Sequence, residues 1–213
     1  MAGDHIERLA RFAATLDVPF GPEVADRIES FLRLLTKWNE RIRLTGDRDL
    51  ESLALKHCAD SLAAASRVKR GSSVIDIGSG GGFPGIVAAC ACPDATFTLV
   101  DSKAKACSFL EVAASEIGLS NVRVLNQRLE DLVVSTTTVL GFDIAVSRGV
   151  RLEGILSHVT RAIRSKGALL AMVAESQDLP TARLAEAGFR ETSSLSYMLP
   201  TGEARRIRQF SAS

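Results

Sequence analysis

The chain is poor in aromatic residues and carries almost no net charge. Aromatic residues make up 5% of its 213 positions, and the formal net charge is +1. Proteins that bind any single strand stack its bases on aromatic rings, so this composition argues against a general single-strand binder. A charge near zero gives no bulk attraction to nucleic acid, so an RNA partner would require an uneven distribution of the 26 lysines and arginines.

Cysteine motifs, leader-like segments and long apolar runs are also lacking. The four cysteines show no C-x-x-C or Cys/His ligand spacing, and no Ser/His/Asp set or metal-ligand cluster is recognisable. We therefore expect no metal and four reduced, mostly buried thiols in a cytoplasmic protein. Because charged residues lie within the first ten positions, we expect no signal peptide there, and because no apolar run reaches membrane-spanning length, we expect no membrane partner.

The strongest motif is the run from Val74 to Gly85, V-I-D-I-G-S-G-G-G-F-P-G. Five of the eight positions from Gly78 to Gly85 are glycine. A strand that enters a glycine-rich turn and opens a helix is typical of a nucleotide site, because glycine turns sharply and leaves no Cβ between backbone and ligand. Pro84 suits the first turn of such a helix, where its missing N–H costs nothing.

One interpretation of this run is a dinucleotide site. Gly80, Gly82 and Gly85 fit the spacing G-x-G-x-x-G, and Asp101 follows about 20 residues later, where a ribose-binding acid belongs. Under this interpretation the chain would be a nicotinamide-dependent oxidoreductase. The glycine spacing is short enough to recur by chance, so alone it is weak support.

A second interpretation is a site for S-adenosylmethionine (AdoMet). Gly78, Gly80 and Gly82 follow Asp76, whose carboxylate would repel a pyrophosphate by several kcal/mol in a partly desolvated site. AdoMet has no phosphate and carries a sulfonium and an ammonium, so Asp76 favours it. A plain surface turn with Asp76 as a cap is the less specific alternative.

Hydrophobic periodicity predicts helices first and then an alternation of strands and helices. Amphipathic helices are expected at residues 4–16, 22–42 and 47–65, the last with Asp47 as N-cap. The later predicted strands are 73–77, 96–100, 122–126, 143–147 and 168–174. The helices between them are 84–91, 103–117, 152–164 and 179–187. Residues 135–138 are predicted to form a surface loop, and 189–199 with 205–211 an antiparallel hairpin.

This order of elements predicts an α/β fold with a doubly wound, Rossmann-like sheet. The sheet would be mostly parallel and end in the antiparallel hairpin, which is the AdoMet-dependent methyltransferase variant. Residues 1–70 are predicted to be an N-terminal helical extension packed on a methyltransferase domain at residues 71–213.

Ligands of such sheets bind beyond the carboxyl ends of the strands. Asp101 could accept hydrogen bonds from both ribose hydroxyls, and Leu129 with Glu130 stand where an adenine would lie. Arg148 ends the fourth strand and would lie over the pocket. The candidate cofactor contacts are therefore Asp76, Gly78, Gly80, Phe83, Asp101, Leu129, Glu130 and Arg148.

Missing motifs narrow the reaction. No Asn/Asp-Pro-Pro-aromatic run follows the fourth strand, so transfer to an exocyclic base amine is not supported. Guanine N7 already has a free lone pair and needs only in-line placement against a methyl group, at about 3–3.5 Å. Arg148 would then be a positioning residue, with no general base. In the third helix, His57 and Asp60 are three residues apart, which on spacing alone predicts a structural pair.

These motifs together resemble the ribosomal RNA small-subunit methyltransferase G family, also called glucose-inhibited division protein B. The resemblance covers residues 25–210. Its carriers are Lys37-Trp38-Asn39, Leu44-Thr45, Lys56-His57 with Asp60-Ser61, Asp76–Ile86, Asp101-Ser102, Phe109-Leu110 and Ser147-Arg148.

The resemblance implies a methyltransferase that uses AdoMet to methylate N7 of a guanine in 16S rRNA of the small ribosomal subunit. It places AdoMet contacts on Gly78, Phe83, Leu129, Glu130 and Arg148. The polar face of the third helix would be a pocket wall or an RNA-facing surface. The residues expected on the substrate side are Lys56, His57, Asp60, Ser61, Arg205 and Arg206. A monomer is expected.

Some positions depart from the family pattern. Arg43 and Gly149 replace a usual Asn and Ala, Ala174-Glu175-Ser176 replaces a usual Lys-Gly, and Arg206 replaces a usual His. A non-catalytic relative that binds AdoMet or RNA is therefore a further alternative. Basic clusters that could form a phosphate-binding rim are Arg41, Arg43 and Arg48; Arg67, Lys69 and Arg70; and Arg205, Arg206 and Arg208.

Overall fold

A computed structural model describes residues 3–135 and 139–212. Within these residues, seven strands form one sheet with the order β3-β2-β1-β4-β5-β7-β6. The first five strands are parallel, and β7 lies antiparallel between β5 and β6. The predicted Rossmann-like sheet with a C-terminal antiparallel hairpin is thus confirmed. The strands are β1 Ser73–Ile77, β2 Thr96–Asp101, β3 Val122–Asn126, β4 Phe142–Arg148, β5 Ile163–Ala174, β6 Phe189–Met198 and β7 Ala204–Ala212.

Helices cover the sheet and precede it. They are α1 Asp4–Thr15, α2 Pro22–Asn39, α3 Leu50–Ser52, α4 Ala59–Ala65, α5 Gly85–Ala91, α6 Ala104–Glu116, α7 Leu129–Val134, α8 Leu156–Ala162 and α9 Thr181–Glu186. A π-helical segment, Leu53–Cys58, joins α3 to α4 without a break, and a 3-10 turn, Leu152–Gly154, precedes α8. No helix in the described part of the chain is long and apolar enough to cross a membrane.

The N-terminal helices share a core with the sheet. Phe31 of α2 is fully buried and lies edge-on to Phe83 of the glycine-rich turn, with ring centroids 5.4 Å apart. Trp38 packs on Phe109 of α6 at 5.6 Å. The spacing of Ile28, Phe31 and Leu35 explains this, because residues three and four apart lie on one helical face. The division into domains at residue 70 stays a prediction.

Side-chain hydrogen bonds set two helix ends differently from the prediction. The second helix stops at Asn39, not at residue 42, because the Asn39 side chain is buried and accepts the Leu44 N–H at 2.9 Å. The prediction of Asp47 as N-cap is wrong: Asp49 caps α3 by accepting the Ser52 N–H at 2.7 Å. Because Asp47 does not cap the helix, its carboxylate is available to pair with His57 of the π-helical segment.

The predicted helix at 152–164 is too long, because β5 begins at Ile163. That residue is 1% exposed and pairs with Phe142 of β4. A bulge follows, and regular pairing resumes at Ala168. Gly167 permits the bulge, since a Cβ there would lie 2.8 Å from the Arg164 carbonyl oxygen. The sequence analysis also missed α7. Residues 136–138 of the predicted surface loop lie outside the described residues.

Candidate cofactor and substrate site

The glycine-rich turn begins directly after β1, and three of its backbone N–H groups donate hydrogen bonds within the protein. The N–H groups of Gly78 and Ser79 both donate to the Val100 carbonyl at the end of β2, at 2.8 and 3.2 Å. The Gly80 N–H donates to Asp101 Oδ2 at 2.9 Å. A phosphate cradle requires such donors to point at the ligand. These three are taken, so this turn is poorly suited to a diphosphate.

Glycine is needed at this turn for conformation and for space. Gly78, Gly80 and Gly82 have φ values of +75°, +50° and +91°, where side chains are strained. A Cβ on Gly78 would lie 2.8 Å from Val150 Cγ2, and one on Gly82 would lie 3.1 Å from Phe31. The turn is therefore held tightly between the loop after β4 and helix α2.

Asp76 lies beneath the turn. It is 1% exposed, and its Oδ2 accepts the Gly85 N–H at 3.0 Å, which ties β1 to the start of α5. Its Oδ1 is buried and has no hydrogen-bond partner in the structure. Burial raises the pKa of this carboxyl to about 7. Asp76 thus supports the turn from below, whereas the sequence suggested that it faces the ligand's cations.

Four of the predicted cofactor residues line one cleft at the ends of β1, β2 and β3. Gly78, Asp101, Leu129 and Glu130 border a volume of about 280 Å³, and Val150 closes it from the loop after β4. Both oxygens of Asp101 already accept backbone N–H groups, from Gly80 and, at 2.8 Å, from Lys103. Each carboxylate oxygen has a second lone pair, so Asp101 can still accept from a ligand hydroxyl.

Arg148 ends β4 and is held by two side chains of the helix at residues 50–65. Its Nε lies 2.8 Å from Asp60 Oδ2, and its Nη2 lies 2.5 Å from His57 Nδ1. The guanidinium carbon stands 5.8 Å from the centre of the Phe83 ring. With its side chain 15% exposed, Arg148 is fixed in orientation at the edge of the turn.

His57 links Arg148 to Asp47 and stacks on Phe83. Its Nε2 lies 2.8 Å from Asp47 Oδ2, and the His57 and Phe83 ring centroids are 5.1 Å apart. Since a guanidinium only donates, Nδ1 must be the acceptor, and Nε2 carries the proton and donates its hydrogen bond to Asp47. Burial and then the Arg148 charge lower the pKa of His57, which favours this neutral form. His57 belongs to the π segment, a helix type frequent at functional sites.

Asp60 connects the pocket to the C-terminal hairpin. This carboxylate is 1% exposed, yet Arg148 and Arg205 both pair with its Oδ2, at 2.8 and 3.1 Å. The Tyr197 hydroxyl donates to Oδ1 at 2.6 Å. His57 and Asp60, which their spacing predicted to be a structural pair, are joined through Arg148.

Other residues predicted on the substrate side have structural partners. Lys56 Nζ lies 3.5 Å from both Asp47 and Glu203. Ser61 is fully buried and donates its hydroxyl to the His57 carbonyl at 2.7 Å, which stabilises the π segment. Ser61 therefore has no exposed surface to offer RNA.

A larger cleft lies beside the first, at the ends of β4 and β5. It has a volume of about 610 Å³ and is bordered by Ser147, Gly149, Gln177 and Asp178, and it shares Val150 with the first cleft. The sequence analysis did not select Val150, Gln177 or Asp178. Their common signal is position, since each follows the end of a parallel strand, but no motif marks them.

Comparison with known proteins identifies the family. The profile of the rRNA small subunit methyltransferase G family (GidB) matches residues 25–201. The chain belongs to this family. It is 38% identical to the ribosomal RNA small subunit methyltransferase G of Halorhodospira halophila, over 84% of this chain and 82% of that one. The corresponding protein of Neisseria meningitidis is 40% identical over 58% of this chain, an alignment that spans 60% of the relative's length.

Solved structures show the same fold at low sequence identity. Magnesium protoporphyrin IX methyltransferase from Synechocystis, with bound SAM, superposes with a TM-score of 0.61 at 15% identity, covering 86% of this chain and 97% of that one. A SAM-dependent methyltransferase from Aquifex aeolicus gives 0.59 at 14% identity, covering 84% and 97%. These structures confirm the methyltransferase-type sheet.

Two residues that depart from the family pattern, Glu175 and Arg206, contact each other in this protein. Glu175, at the end of β5, forms a salt bridge with Arg206 of β7, and Ser196 of β6 donates to the same carboxylate. The neighbouring residues Ala174 and Arg205 are register partners across the strands. The two changes therefore complement each other in charge.

Proposed function

We propose that this chain is an AdoMet-dependent methyltransferase that acts on N7 of a guanine in 16S rRNA. The observation that carries the proposal is the glycine-rich turn, in which the N–H groups of Gly78, Ser79 and Gly80 are already bonded, next to a cleft bordered by Asp101 and Glu130. Family membership supports the RNA substrate. A small-subunit rRNA also implies action in the cytoplasm; the monomeric state expected from the sequence stays a prediction.

The residues present fit AdoMet. Gly78 has no side chain, and this keeps the bottom of the cleft free. A Cβ at this position would collide with Val150. Asp101 and Glu130 would hold the ribose and adenine, and the buried Leu129 gives an apolar wall. The Oδ1 atom of Asp76 lies behind the turn without a hydrogen-bond partner, so one buried acceptor there is still unused. When bound, AdoMet would supply an electrophilic methyl group.

The protein's part in this chemistry is placement. Guanine N7 uses its own lone pair, so no side chain has to remove a proton before transfer. Arg148 is the residue best placed to orient the base, because Asp60 and His57 fix its guanidinium beside Phe83. We assign it as a positioning residue.

The alternatives have less support. A nicotinamide dinucleotide would place its pyrophosphate against N–H groups that are already bonded. A non-catalytic relative was suggested by the altered positions, but Glu175 and Arg206 compensate each other in charge.

Transfer of a tritiated methyl group to 30S subunits from cells that lack the endogenous enzyme tests the proposal. We expect incorporation that maps to a single guanine N7, and calorimetric binding of AdoMet but not of NAD. We expect Arg148→Gln to abolish transfer while AdoMet still binds. Binding of NAD alone, or AdoMet binding without any transfer, would refute the proposed activity.

A further inference from the structure

The three arginines of β7, in the C-terminal hairpin, are already neutralised. Arg205 pairs with Asp60 at 3.1 Å, Arg206 pairs with Glu175, and Arg208 pairs with Glu191 at 2.5 Å. A cation that already faces a carboxylate attracts a phosphate weakly, because the pair presents little net charge. β7 is therefore a poor candidate for the surface that receives the RNA backbone.

Two adjoining clefts elsewhere are lined by cations that have no such partner. One has a volume of about 430 Å³ and is lined by Arg41, Arg43, Lys103 and Lys105. The other, of about 180 Å³, is lined by Lys37, Trp38, Arg41 and Ile42, so the clefts share Arg41 and Ile42. We call the two together the basic groove. Its lysines and arginines are exposed.

The charge of the basic groove is uncompensated. In the part of the chain that the structure describes, none of its five cations forms an ion pair, and no acidic side chain lines either cleft. Two carboxylates of the loop that follows α2 are occupied elsewhere: Asp47 by Lys56 and His57, and Asp49 by the Ser52 N–H. Clustered, unpaired cations on one face attract a polyanion.

The groove also offers an aromatic surface and adjoins the glycine-rich turn. Trp38 is half-buried against Phe109, which leaves part of its indole in the smaller cleft. Gly80 lines the larger cleft, and a Cβ on Gly81 would lie 3.4 Å from the Leu44 carbonyl, so the loop that carries Arg41 and Arg43 rests on the turn. Phosphate contacts combined with base stacking are typical of single-stranded nucleic acid sites.

From this we infer that the basic groove binds the backbone of a single-stranded RNA segment and that Trp38 stacks on one of its bases. The inference rests on the proposed function for its choice of RNA as the polyanion. It assigns the main phosphate contacts to Arg41, Arg43, Lys103 and Lys105, not to the hairpin.

The fluorescence of Trp38 gives a direct test, because the chain has one Trp. A short single-stranded oligoribonucleotide of mixed sequence is titrated into the full chain across a series of KCl concentrations. The test variant is Arg41→Gln/Arg43→Gln/Lys105→Gln. The matched control, Arg11→Gln/Arg123→Gln/Arg190→Gln, removes the same charge from exposed positions outside the groove.

We expect the oligoribonucleotide to change Trp38 fluorescence in the native chain and in the control. In the test variant, the slope of log affinity against log salt should fall by about 2, since each lost phosphate contact removes about 0.7. An unchanged slope, or fluorescence that does not respond to RNA, would overturn the inference. An equal response to polyglutamate would also overturn it, because the groove would then bind polyanions in general and not RNA in particular.

Methyl transfer separates this inference from the proposed function. If 30S subunits are methylated and the test variant shows an unchanged KM, the groove assignment fails while the function stands. If no variant transfers a methyl group but the groove still binds RNA with the expected salt slope, the proposed activity fails while the groove assignment stands. Calorimetry should show AdoMet binding unchanged in the test variant.

Discussion

The Oδ2 atom of Asp60 lies 2.8 Å from Nε of Arg148, and the carboxylate is almost wholly shielded from water. The same oxygen lies 3.1 Å from Arg205 of the last strand. One buried negative charge thus holds the end of β4 and the C-terminal hairpin at a fixed distance. Removing one partner from a buried ion pair leaves the other charges desolvated and uncompensated.

We expect Asp60→Asn to lower the free energy of unfolding by about 3 kcal/mol. The substitution keeps the volume of the side chain but leaves two arginines without their shared carboxylate. Urea denaturation at neutral pH measures the change. Tyr197→Phe is the matched control: it removes one hydrogen bond to Asp60 and no charge, so it should cost about 1 kcal/mol. Equal losses for the two variants would contradict the charge argument.

The second prediction concerns the pH dependence that His57 contributes. Burial and Arg148 lower the pKa of His57 from its ordinary 6.5, so the folded protein takes up this proton less readily than the unfolded chain. Its contribution to stability is therefore complete above about pH 6.5 and is lost as the pH falls below that value. His57→Asn retains an acceptor for Arg148 but cannot be protonated.

The stability difference between native protein and His57→Asn should therefore shrink as the pH falls from about 7 to about 5. Comparison of the two proteins by urea denaturation at each pH cancels the contributions of other titrating groups. A difference that stays constant over this range would show that His57 is not held neutral by its surroundings.

The sequence predicted which residues stand at the carboxyl ends of the parallel strands, because the alternation of strands and helices determines those positions. Gly78, Asp101 and Arg148 each stand where a parallel strand ends, and the alternation of strands and helices places all such ends at one edge of the sheet. Local pattern was sufficient there. The strands β1 and β3 were also predicted with the bounds that the structure shows.

The partners of the residues predicted on the substrate side are set by tertiary contacts, which no local sequence pattern encodes. Asp60 looked like a partner for His57, yet its partners Tyr197 and Arg205 come from a hairpin more than a hundred residues later in the chain. The pairing of Glu175 with Arg206 follows from the register of β5 and β7, which is set by how the hairpin returns onto the sheet. Helical spacing could not reveal the π segment either.

The third prediction concerns Asp76. Burial raises its pKa from 3.8 to about 7, so the folded protein holds this proton more tightly than the unfolded chain. The resulting stabilisation is complete below about pH 4 and is lost as the pH rises through about 7. Asp76→Asn can still accept the Gly85 N–H and does not titrate.

Relative to the native protein, Asp76→Asn should therefore become more stable as the pH rises from about 4 to about 7, by at most about 1.4 kcal/mol per pH unit. This sign is opposite to that expected for His57. Urea denaturation of both proteins across the range provides the measurement. A difference independent of pH would mean that Asp76 is ionised in the folded protein throughout, as it would be if water reached its Oδ1.

The fourth prediction tests the floor of the cofactor cleft. Gly78→Ala places a Cβ 2.8 Å from Val150 Cγ2 and forces alanine into a conformation with φ of +75°, which costs about 1–2 kcal/mol. Since Val150 borders both clefts, its displacement should narrow the space for AdoMet. We expect AdoMet affinity to fall at least about tenfold, or about 1.4 kcal/mol.

Val150→Ala separates the two causes. Alone it should change AdoMet affinity little, because it enlarges the cleft without removing a polar contact. Combined with Gly78→Ala it should restore the part of the affinity lost to the collision, while the backbone strain persists. Calorimetry of the four proteins closes a double-mutant cycle, in which contacting residues give a non-zero interaction energy. If the two changes were additive, the Val150 contact would not shape the cleft, and the loss at Gly78 would come from backbone strain alone.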